Sequence, residues 1–169
     1  MICDDEHLIA ESVDRLLKKV SDKNGIKLKT QISCNGIECL YQIYRSFIEG
    51  KKIDMLLIDE NMPFMIGSEC IKILRNLMAD KKITKFKIYS ITGYVDTEHI
   101  NYIKASGSDG FYSKPISLNM THDLLIKSGL IQKDEAKKKY SNNVYVKNYE
   151  KQGVKLKSNE QVITDRTKV

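Results

Sequence analysis

The chain has 169 residues, of which 41% are hydrophobic, and it carries a formal net charge of +6. This length and composition suit one ordinary globular domain with some chain left over. There is no run of about 18 apolar residues, so the sequence predicts no transmembrane helix. The acidic residues within the first six positions argue against a signal peptide. We therefore expect a cytoplasmic protein.

The positive charge is concentrated in the last part of the chain. Residues 1–129 contain 18 lysines and arginines and 17 aspartates and glutamates, whereas residues 130–169 contain 10 and 5. The second range carries only scattered apolar residues, which predicts a basic, largely disordered tail. Its charges are dispersed apart from a short run at 137–139, which favours a solvated tail over a nucleic-acid site. We expect no nucleic-acid partner.

The four cysteines are Cys3, Cys34, Cys39 and Cys70, and they form no CxxC pair. Three of them lie in or beside apolar segments. This placement favours reduced, buried thiols over a disulfide framework.

The first half of the chain alternates helices and strands. Apolar residues recur at helical spacing over residues 9–20, and Gly25 marks the end of that helix. Residues 26–33 alternate apolar and polar side chains, as a half-buried strand does. A second helix is predicted over 37–49, followed by a continuously apolar strand over 53–59. We expect the apolar residues of the second helix to share one side: Ile37, Leu40, Tyr41, Tyr44, Phe47 and Ile48.

The second half continues the alternation with five more elements. They are a helix over 67–79, a strand over 86–92, a short helix over 96–105, a short strand near 109–112 and a last helix to about residue 127. Ser117 can cap the last helix. Only three apolar residues precede the acidic pair near the start, so the first strand is predicted to be shortened.

This alternation predicts an α/β fold with a parallel sheet and helices on both faces. We expect the flavodoxin-like doubly wound (βα)5 form, whose five strands lie in the order 2-1-3-4-5. Ligands of such sheets bind at the carboxyl ends of the strands. Polar residues follow or end four of the predicted strands there: Asp4 and Asp5, Asp59, Thr92 and Lys114. We therefore place the candidate site at this edge.

Three carboxylates are expected to converge at the edge. The first and third strands are neighbours in this order, so their ends are about 5 Å apart. Two carboxylates about 4 Å apart repel by roughly 4 kcal/mol at an effective dielectric near 20. A hard cation offsets that repulsion, and Mg²⁺ accepts one or two carboxylates with waters. Asp4, Asp5 and Asp59 therefore predict a Mg²⁺ site.

A carboxylate beside Mg²⁺ can act as a nucleophile toward phosphorus, which makes Asp59 the candidate. The charge on a transferring phosphoryl group needs cations and donors around its oxygens. The ammonium of Lys114 and the hydroxyl of Thr92 can supply them. Gly93 leaves room for a donor molecule to reach Asp59.

Four segments resemble the receiver domain of two-component response regulators. They are "DDE" at 4–6, "LLIDENMPFMIG" at 56–67, "SITG" at 90–93 and "FYSKPIS" at 111–117. The resemblance covers about residues 1–128, so we assign 1–129 to a receiver domain and 130–169 to the tail. It implies that Asp59 accepts a phosphoryl group from a histidine kinase or a histidine phosphotransfer protein. The chain is then a signalling phosphoacceptor and not a turnover enzyme.

The resemblance also implies roles for the other residues. Asp4, Asp5 and Asp59 hold Mg²⁺ together with the backbone carbonyl of Asn61, and Thr92 and Lys114 contact the phosphoryl oxygens.

In the resembled family, phosphorylation is read out by a switch. The resemblance implies that Thr92 moves toward the phosphoryl group and that the ring of Phe111 fills the space that Thr92 leaves. The family often has a cis peptide before the proline, for which Lys114–Pro115 is the candidate. Because Asn61 and Tyr94 each stand two residues past a key position, we hypothesise that they tune the lifetime of the phosphorylated state.

Three alternatives remain. A Mg²⁺-dependent aspartyl-phosphate phosphatase needs a second aspartate two residues after the nucleophile, where Asn61 stands. A second alternative is an interaction module that has lost phosphorylation. All of the phosphorylation residues are present, so only the shortened first strand supports this alternative. A fragment of a hybrid histidine kinase would also account for that strand, since such kinases often end in a receiver.

Overall fold

Five short strands and five helices alternate along the part of the chain that the computed structural model describes, residues 1–93 and 96–132. The strands are β1 (Ile2–Cys3), β2 (Ile32–Ser33), β3 (Met55–Asp59), β4 (Lys87–Thr92) and β5 (Gly110–Ser113). The helices are α1 (His7–Lys23), α2 (Gly36–Ile48), α3 (Gly67–Ala79), α4 (Thr97–Ala105) and α5 (Leu118–Lys127).

The strands form one parallel sheet in the order β2-β1-β3-β4-β5. This is the predicted flavodoxin-like order, so the fold prediction is confirmed. All five residues of β3 are buried, as expected of a central strand covered on both faces. The carboxyl ends of all five strands therefore lie at one edge of the sheet.

Two hydrophobic cores cover the two faces of the sheet. Side chains of α1 and α5 pack on one face with Leu57 and Ile91. Side chains of α2 and α3 pack on the other face with Leu56 and Ile58. Neighbouring residues of β3 thus point into different cores, which fixes the direction in which the strand delivers Asp59 to the edge.

The first strand is short but is hydrogen-bonded on both sides. The N–H of Ile2 donates to the carbonyl of Gln31 at 2.8 Å, and the N–H of Leu57 donates to the carbonyl of Met1 at 3.0 Å. The N–H of Asp4 continues the ladder to the carbonyl of Ser33 at 3.0 Å. The predicted shortening of this strand is confirmed.

The second strand is much shorter than predicted, because only Ile32–Ser33 of the predicted range 26–33 forms strand. Among the described residues it lies at the edge of the sheet and pairs only with β1, which offers two residues. Ile26 and Leu28 still pack against the first core. Partial burial of these two side chains therefore explains the alternating pattern without a strand.

Five of the six apolar residues predicted to share one side of α2 do lie together, and that side faces solvent. The helix buries Gly36, Cys39, Ile43 and Ser46. Its larger apolar residues are exposed instead: Ile37, Tyr41, Tyr44, Phe47 and Ile48. Small residues face inward because the packing is close there. A Cβ on Gly36, for example, would come within 2.8 Å of the Met65 side chain.

The compact unit runs from Met1 to Ile131, slightly beyond the predicted boundary at 129. Ile131 is buried in the first core, and Leu130 packs against it. The rest of the predicted tail, 133–169, lies outside the described residues. Within the described residues, no helix combines the length and apolar character needed to cross a lipid bilayer.

The four cysteines are free thiols, as predicted. Three of them are buried and Cys34 is exposed.

Candidate functional site

Three carboxylates meet where β1 and β3 end. The register pairs Ile2 with Leu57 and Cys3 with Ile58, so Asp4 and Asp59 come next on each strand. Oxygens of Asp4, Asp5 and Asp59 all lie within 4.8 Å of one another. Asp4 and Asp59 are buried, whereas Asp5 is exposed. The site is therefore an acidic hollow with one wall open to solvent.

Lys114 reaches this hollow from the end of β5. Its Nζ lies 2.9 Å from Asp4 Oδ2 and 3.1 Å from Asp59 Oδ1. Burial alone would lower the pKa of Lys114, but the hydrogen bond to Asp4 and the charge of Asp59 raise it above its ordinary value. The side chain is therefore an ammonium that bridges the two buried carboxylates.

The carboxyl of Asp59 is held in a poorly solvated position. Burial raises its pKa to about 6, and the charge and hydrogen bond of Lys114 offset only part of that effect. The charge of Asp4 raises the pKa further. At neutral pH the group is ionised, but burial makes its charged form unfavourable. A bound cation, or a covalent bond to an electrophile, would remove part of this unfavourable free energy.

Thr92 ends β4 beside Asp59 and is fully buried. In the β3–β4 register Asp59 pairs with Ile91, so Thr92 lies one residue further along the neighbouring strand. Its carbonyl accepts a hydrogen bond from the N–H of Lys114 at 2.8 Å. The backbone thus ties the threonine to the lysine.

Phe111 lies on β5 opposite Ser90 and is half-buried. The neighbouring Tyr112 is buried, and its hydroxyl donates to Asp123 Oδ2 of α5 at 2.9 Å. Phe111 has no hydroxyl group, so it does not make the hydrogen bond that holds the Tyr112 ring to α5. The peptide between Lys114 and Pro115 is cis.

Gly67 fixes the path of the loop between β3 and α3. A Cβ on Gly67 would collide with the backbone carbonyl of Asp59. The N–H of Gly67 donates to the carbonyl of Glu60 at 3.0 Å. The glycine at the end of "DENMPFMIG" is thus explained by the close approach of α3 to the strand end.

Asn61 lies exposed in the same loop, two residues after Asp59. Phe64 follows with a positive φ of 67° and is 84% exposed. An aromatic residue in this backbone region is uncommon. Its positive φ had no signal in the sequence.

Glu60 is a buried acid that the sequence reasoning missed. Its side chain accepts a hydrogen bond from the Ser68 hydroxyl at 2.7 Å. Burial raises its pKa, although the bond from Ser68 acts against that rise. The residue after a strand-ending aspartate resembles an ordinary turn residue, so burial was not foreseeable. The serine near the start of α3, Ser68, is only a weak sequence signal for a buried hydrogen-bond partner.

The acidic hollow fits a hard divalent cation. Its donors are three carboxylates, with no thiol or imidazole among them. Such oxygen donors suit Mg²⁺ better than zinc or copper. The open wall at Asp5 leaves space for water or a phosphoryl oxygen to complete the coordination.

The comparisons with known proteins agree on one family. The family model described as response regulator receiver domain matches residues 1–126. The osmosensing histidine protein kinase SLN1 of Saccharomyces cerevisiae is 27% identical over 116 residues, which is 69% of this chain and 9% of that protein. The chain spans less than a tenth of the length of the curated relatives it matches.

Solved structures show the same fold. A response regulator receiver domain protein from Methanospirillum hungatei JF-1 is 25% identical with a TM-score of 0.56, over 76% of this chain and 88% of that one. The receiver domain of AraT, a response regulator from Geobacillus stearothermophilus, is 22% identical with a TM-score of 0.60, over 82% and 95%.

Proposed function

The chain belongs to the response regulator receiver domain family of two-component signalling, and from that premise we propose that Asp59 is its phosphoacceptor. The observation that carries the proposal is the Lys114 ammonium, 3.1 Å from Asp59 Oδ1 and 2.9 Å from Asp4 Oδ2. A cation held at the reactive carboxylate is what a transferring phosphoryl group requires.

The proposed reaction is phosphoryl transfer from a phosphohistidine. An oxygen of Asp59 attacks phosphorus, and an O–P bond forms as the P–N bond breaks. The bonding electron pair stays on the imidazole nitrogen of the donor, which is later protonated by solvent. Lys114 compensates the charge on the phosphoryl oxygens, and the Thr92 hydroxyl donates a hydrogen bond to one of them.

Asp4, Asp5 and Asp59 would hold Mg²⁺, with the carbonyl of Asn61 as a further ligand. The ion would supply positive charge to the phosphoryl oxygens. The exposed position of Asp5 and Asn61 supports an ion bound at the mouth of the hollow, because the ion must remain reachable by the donor.

The proposed output is a change in the face made by α4, β5 and α5. Phosphorylation adds roughly −1.5 to −2 charges at the sheet edge. Thr92 then turns toward the new oxygens, and Phe111 packs into the space it leaves. The half-buried position of Phe111 on β5 supports this, since a ring between two environments needs little rearrangement to change between them.

The proposed partner is a histidine kinase or a histidine phosphotransfer protein. The relatives found include SLN1 and a hybrid signal transduction histidine kinase of Dictyostelium discoideum. Origin of this chain from a longer hybrid kinase stays a prediction.

Phosphotransfer with a radiolabelled phosphohistidine donor tests the proposal. We expect Mg²⁺-dependent labelling of the wild type at one site per chain, removed by EDTA and by Asp59→Asn. The label should be released by hydroxylamine, because an acyl phosphate is the product. Persistent labelling of the Asp59→Asn variant would refute the assignment.

Asp54→Asn is the matched control, because Asp54 immediately precedes β3, at the opposite end from Asp59. Its side chain pairs only with Lys52 among the ion pairs of the described residues. We expect this variant to be labelled like the wild type. Continuous release of phosphate from simple phosphate esters would instead favour the phosphatase alternative.

A further inference from the structure

Helix α2 carries an apolar stripe on its solvent side. The exposed fractions are 54% for Ile37, 64% for Tyr41, 50% for Tyr44 and 68% for Ile48. Single exposed apolar residues are common on protein surfaces, but a contiguous set is typical of an interaction surface. We call these four residues the α2 stripe.

The α2 stripe does not belong to the core. The helix already packs on the sheet and α3 through Cys39 and Ile43. The stripe lies on the opposite side, and no described part of the chain buries it. Its apolar area is therefore in excess of what the fold of one chain uses.

The stripe has coiled-coil spacing. Its members follow one another at intervals of four, three and four residues. This is the a and d pattern of a heptad repeat, with Ile37 and Tyr44 at d and Tyr41 and Ile48 at a. A second helix is the element that such a stripe accommodates.

We propose that α2 pairs in antiparallel orientation with α2 of a second copy of this chain, about a two-fold axis near the helix midpoint. This inference does not depend on phosphorylation of Asp59. In this pairing Ile37 faces Ile48 of the second copy, and Tyr41 faces Tyr44 of the second copy. Four apolar layers then form from one stripe, as an isologous interface requires.

The charges beside the stripe complement each other in this orientation. Glu38 and Arg45 both occupy e positions, and they lie almost symmetrically about the helix midpoint. Reversing one helix brings e positions opposite each other, so Glu38 of each copy faces Arg45 of the other. Two opposite-charge contacts result from the symmetry.

A parallel pairing does not use these charges. There, e positions face g positions, which are occupied by Leu40 and Phe47. Glu38 and Arg45 would then lie opposite apolar residues. The charge pattern therefore selects the antiparallel pair.

Arg45 is available for such a contact at small cost. It pairs with Glu49 of its own helix at 2.7 Å, and its side chain is 62% exposed. Exposed ion pairs of this kind contribute little to stability, so exchange for Glu38 of a second copy is cheap. A helix of 13 residues is about 20 Å long, so the interface is small and the dimer is weak.

Sedimentation of the full chain, with reductant present because Cys34 is exposed, tests the dimer. At about 0.5 mM a dissociation constant near 0.1 mM gives mostly dimer. We expect the wild type and Asp59→Asn to dimerise alike and Tyr41→Lys to be monomeric. Leu8→Lys is the control, since Leu8 is an exposed apolar residue of α1, and it should dimerise like the wild type.

A charge exchange tests the orientation. Glu38→Arg alone and Arg45→Glu alone should each weaken dimerisation at least about tenfold, because like charges then face each other twice. An equimolar mixture of the two variants should restore it, since each arginine then faces a glutamate. Glu38 also accepts a hydrogen bond from the N–H of Cys34 at 2.8 Å, and its substitution removes that bond as well. The dimerisation of each variant alone is therefore compared with the dimerisation of the same variant in the mixture.

Three outcomes would overturn the proposal. They are a wild type that stays monomeric at about 0.5 mM, a dimer that survives Tyr41→Lys, and a mixture that dimerises no better than the single variants. Because Asp59→Asn is expected to dimerise normally, failure here and failure of phosphotransfer are separate results.

Discussion

At the scale of single residues, the site holds a carboxylate in an environment that disfavours its charge. Asp59 is 5% exposed, and burial raises its pKa to about 6. Lys114 compensates part of this cost, but it also serves Asp4. The unphosphorylated site is therefore strained electrostatically, and it should be stabilised by whatever adds positive charge or removes negative charge.

Asp59→Asn should raise the free energy of unfolding at neutral pH by up to about 3 kcal/mol. The folded pKa lies above the unfolded value of 3.8, so the folded wild type binds more protons between these values. Its stability relative to the variant should fall as pH rises from about 4 to 6 and stay low above that. Urea titrations in EDTA measure the difference. A difference that is constant with pH would contradict the assigned cause.

Ser68→Ala should destabilise the fold by about 1–3 kcal/mol, because it leaves the buried carboxyl of Glu60 without its hydroxyl donor. The loss should be smaller when Glu60→Gln is already present, since an uncharged amide is cheaper to leave unpaired. Thermal and urea unfolding of the two single variants and the double variant measure this coupling. Equal losses in both backgrounds would show that the pair is not coupled.

At the scale of elements, the sequence predicted those whose signal is local. The apolar run of β3 and the helical spacing of α3 were sufficient. The prediction of a strand over 26–33 was wrong in its length. Strand hydrogen bonds need a neighbouring strand, and β1 offers only two residues for pairing. The apolar residues of α2 share one side as predicted, but their pattern did not show which side faces the core: Cys39 and Ile43 are buried, and the larger set faces solvent.

Two glycines near the site, Gly67 at the start of α3 and Gly93 directly after β4, give opposite predictions. Gly67→Ala should destabilise the fold by about 1–3 kcal/mol and slow phosphotransfer, because its Cβ would displace the carbonyl of Asp59. A Cβ on Gly93 meets nothing within 4 Å, so Gly93→Ala should leave stability unchanged. Thermal unfolding with initial phosphotransfer rates measures both effects. A stable Gly67→Ala variant would show that α3 can move away freely.

At the scale of the whole molecule, the candidate site could be predicted because it depends mainly on strand order. Once the sheet was inferred as 2-1-3-4-5, the ends of β1 and β3 were neighbours, which placed Asp4 and Asp59 together. The long side chain of Lys114 could reach them from the end of β5, across β4. Glu60 could not be predicted, because its burial depends on how α3 closes over the loop. Phe64 could not either, since its positive φ is set by the path between two fixed ends.

Binding of Mg²⁺ should stabilise the whole domain, since the ion would bind the folded arrangement of carboxylates and not the unfolded chain. At ten times the dissociation constant the gain is about 1.4 kcal/mol. Asp5→Asn should remove most of this gain while changing the metal-free stability little, because Asp5 is the exposed member of the three. Thermal unfolding with and without Mg²⁺ measures it, and Asp54→Asn should keep the full gain. If Asp5→Asn retained the Mg²⁺ shift, the ion would have to bind elsewhere, and the link between the acidic hollow and the proposed phosphotransfer would be lost.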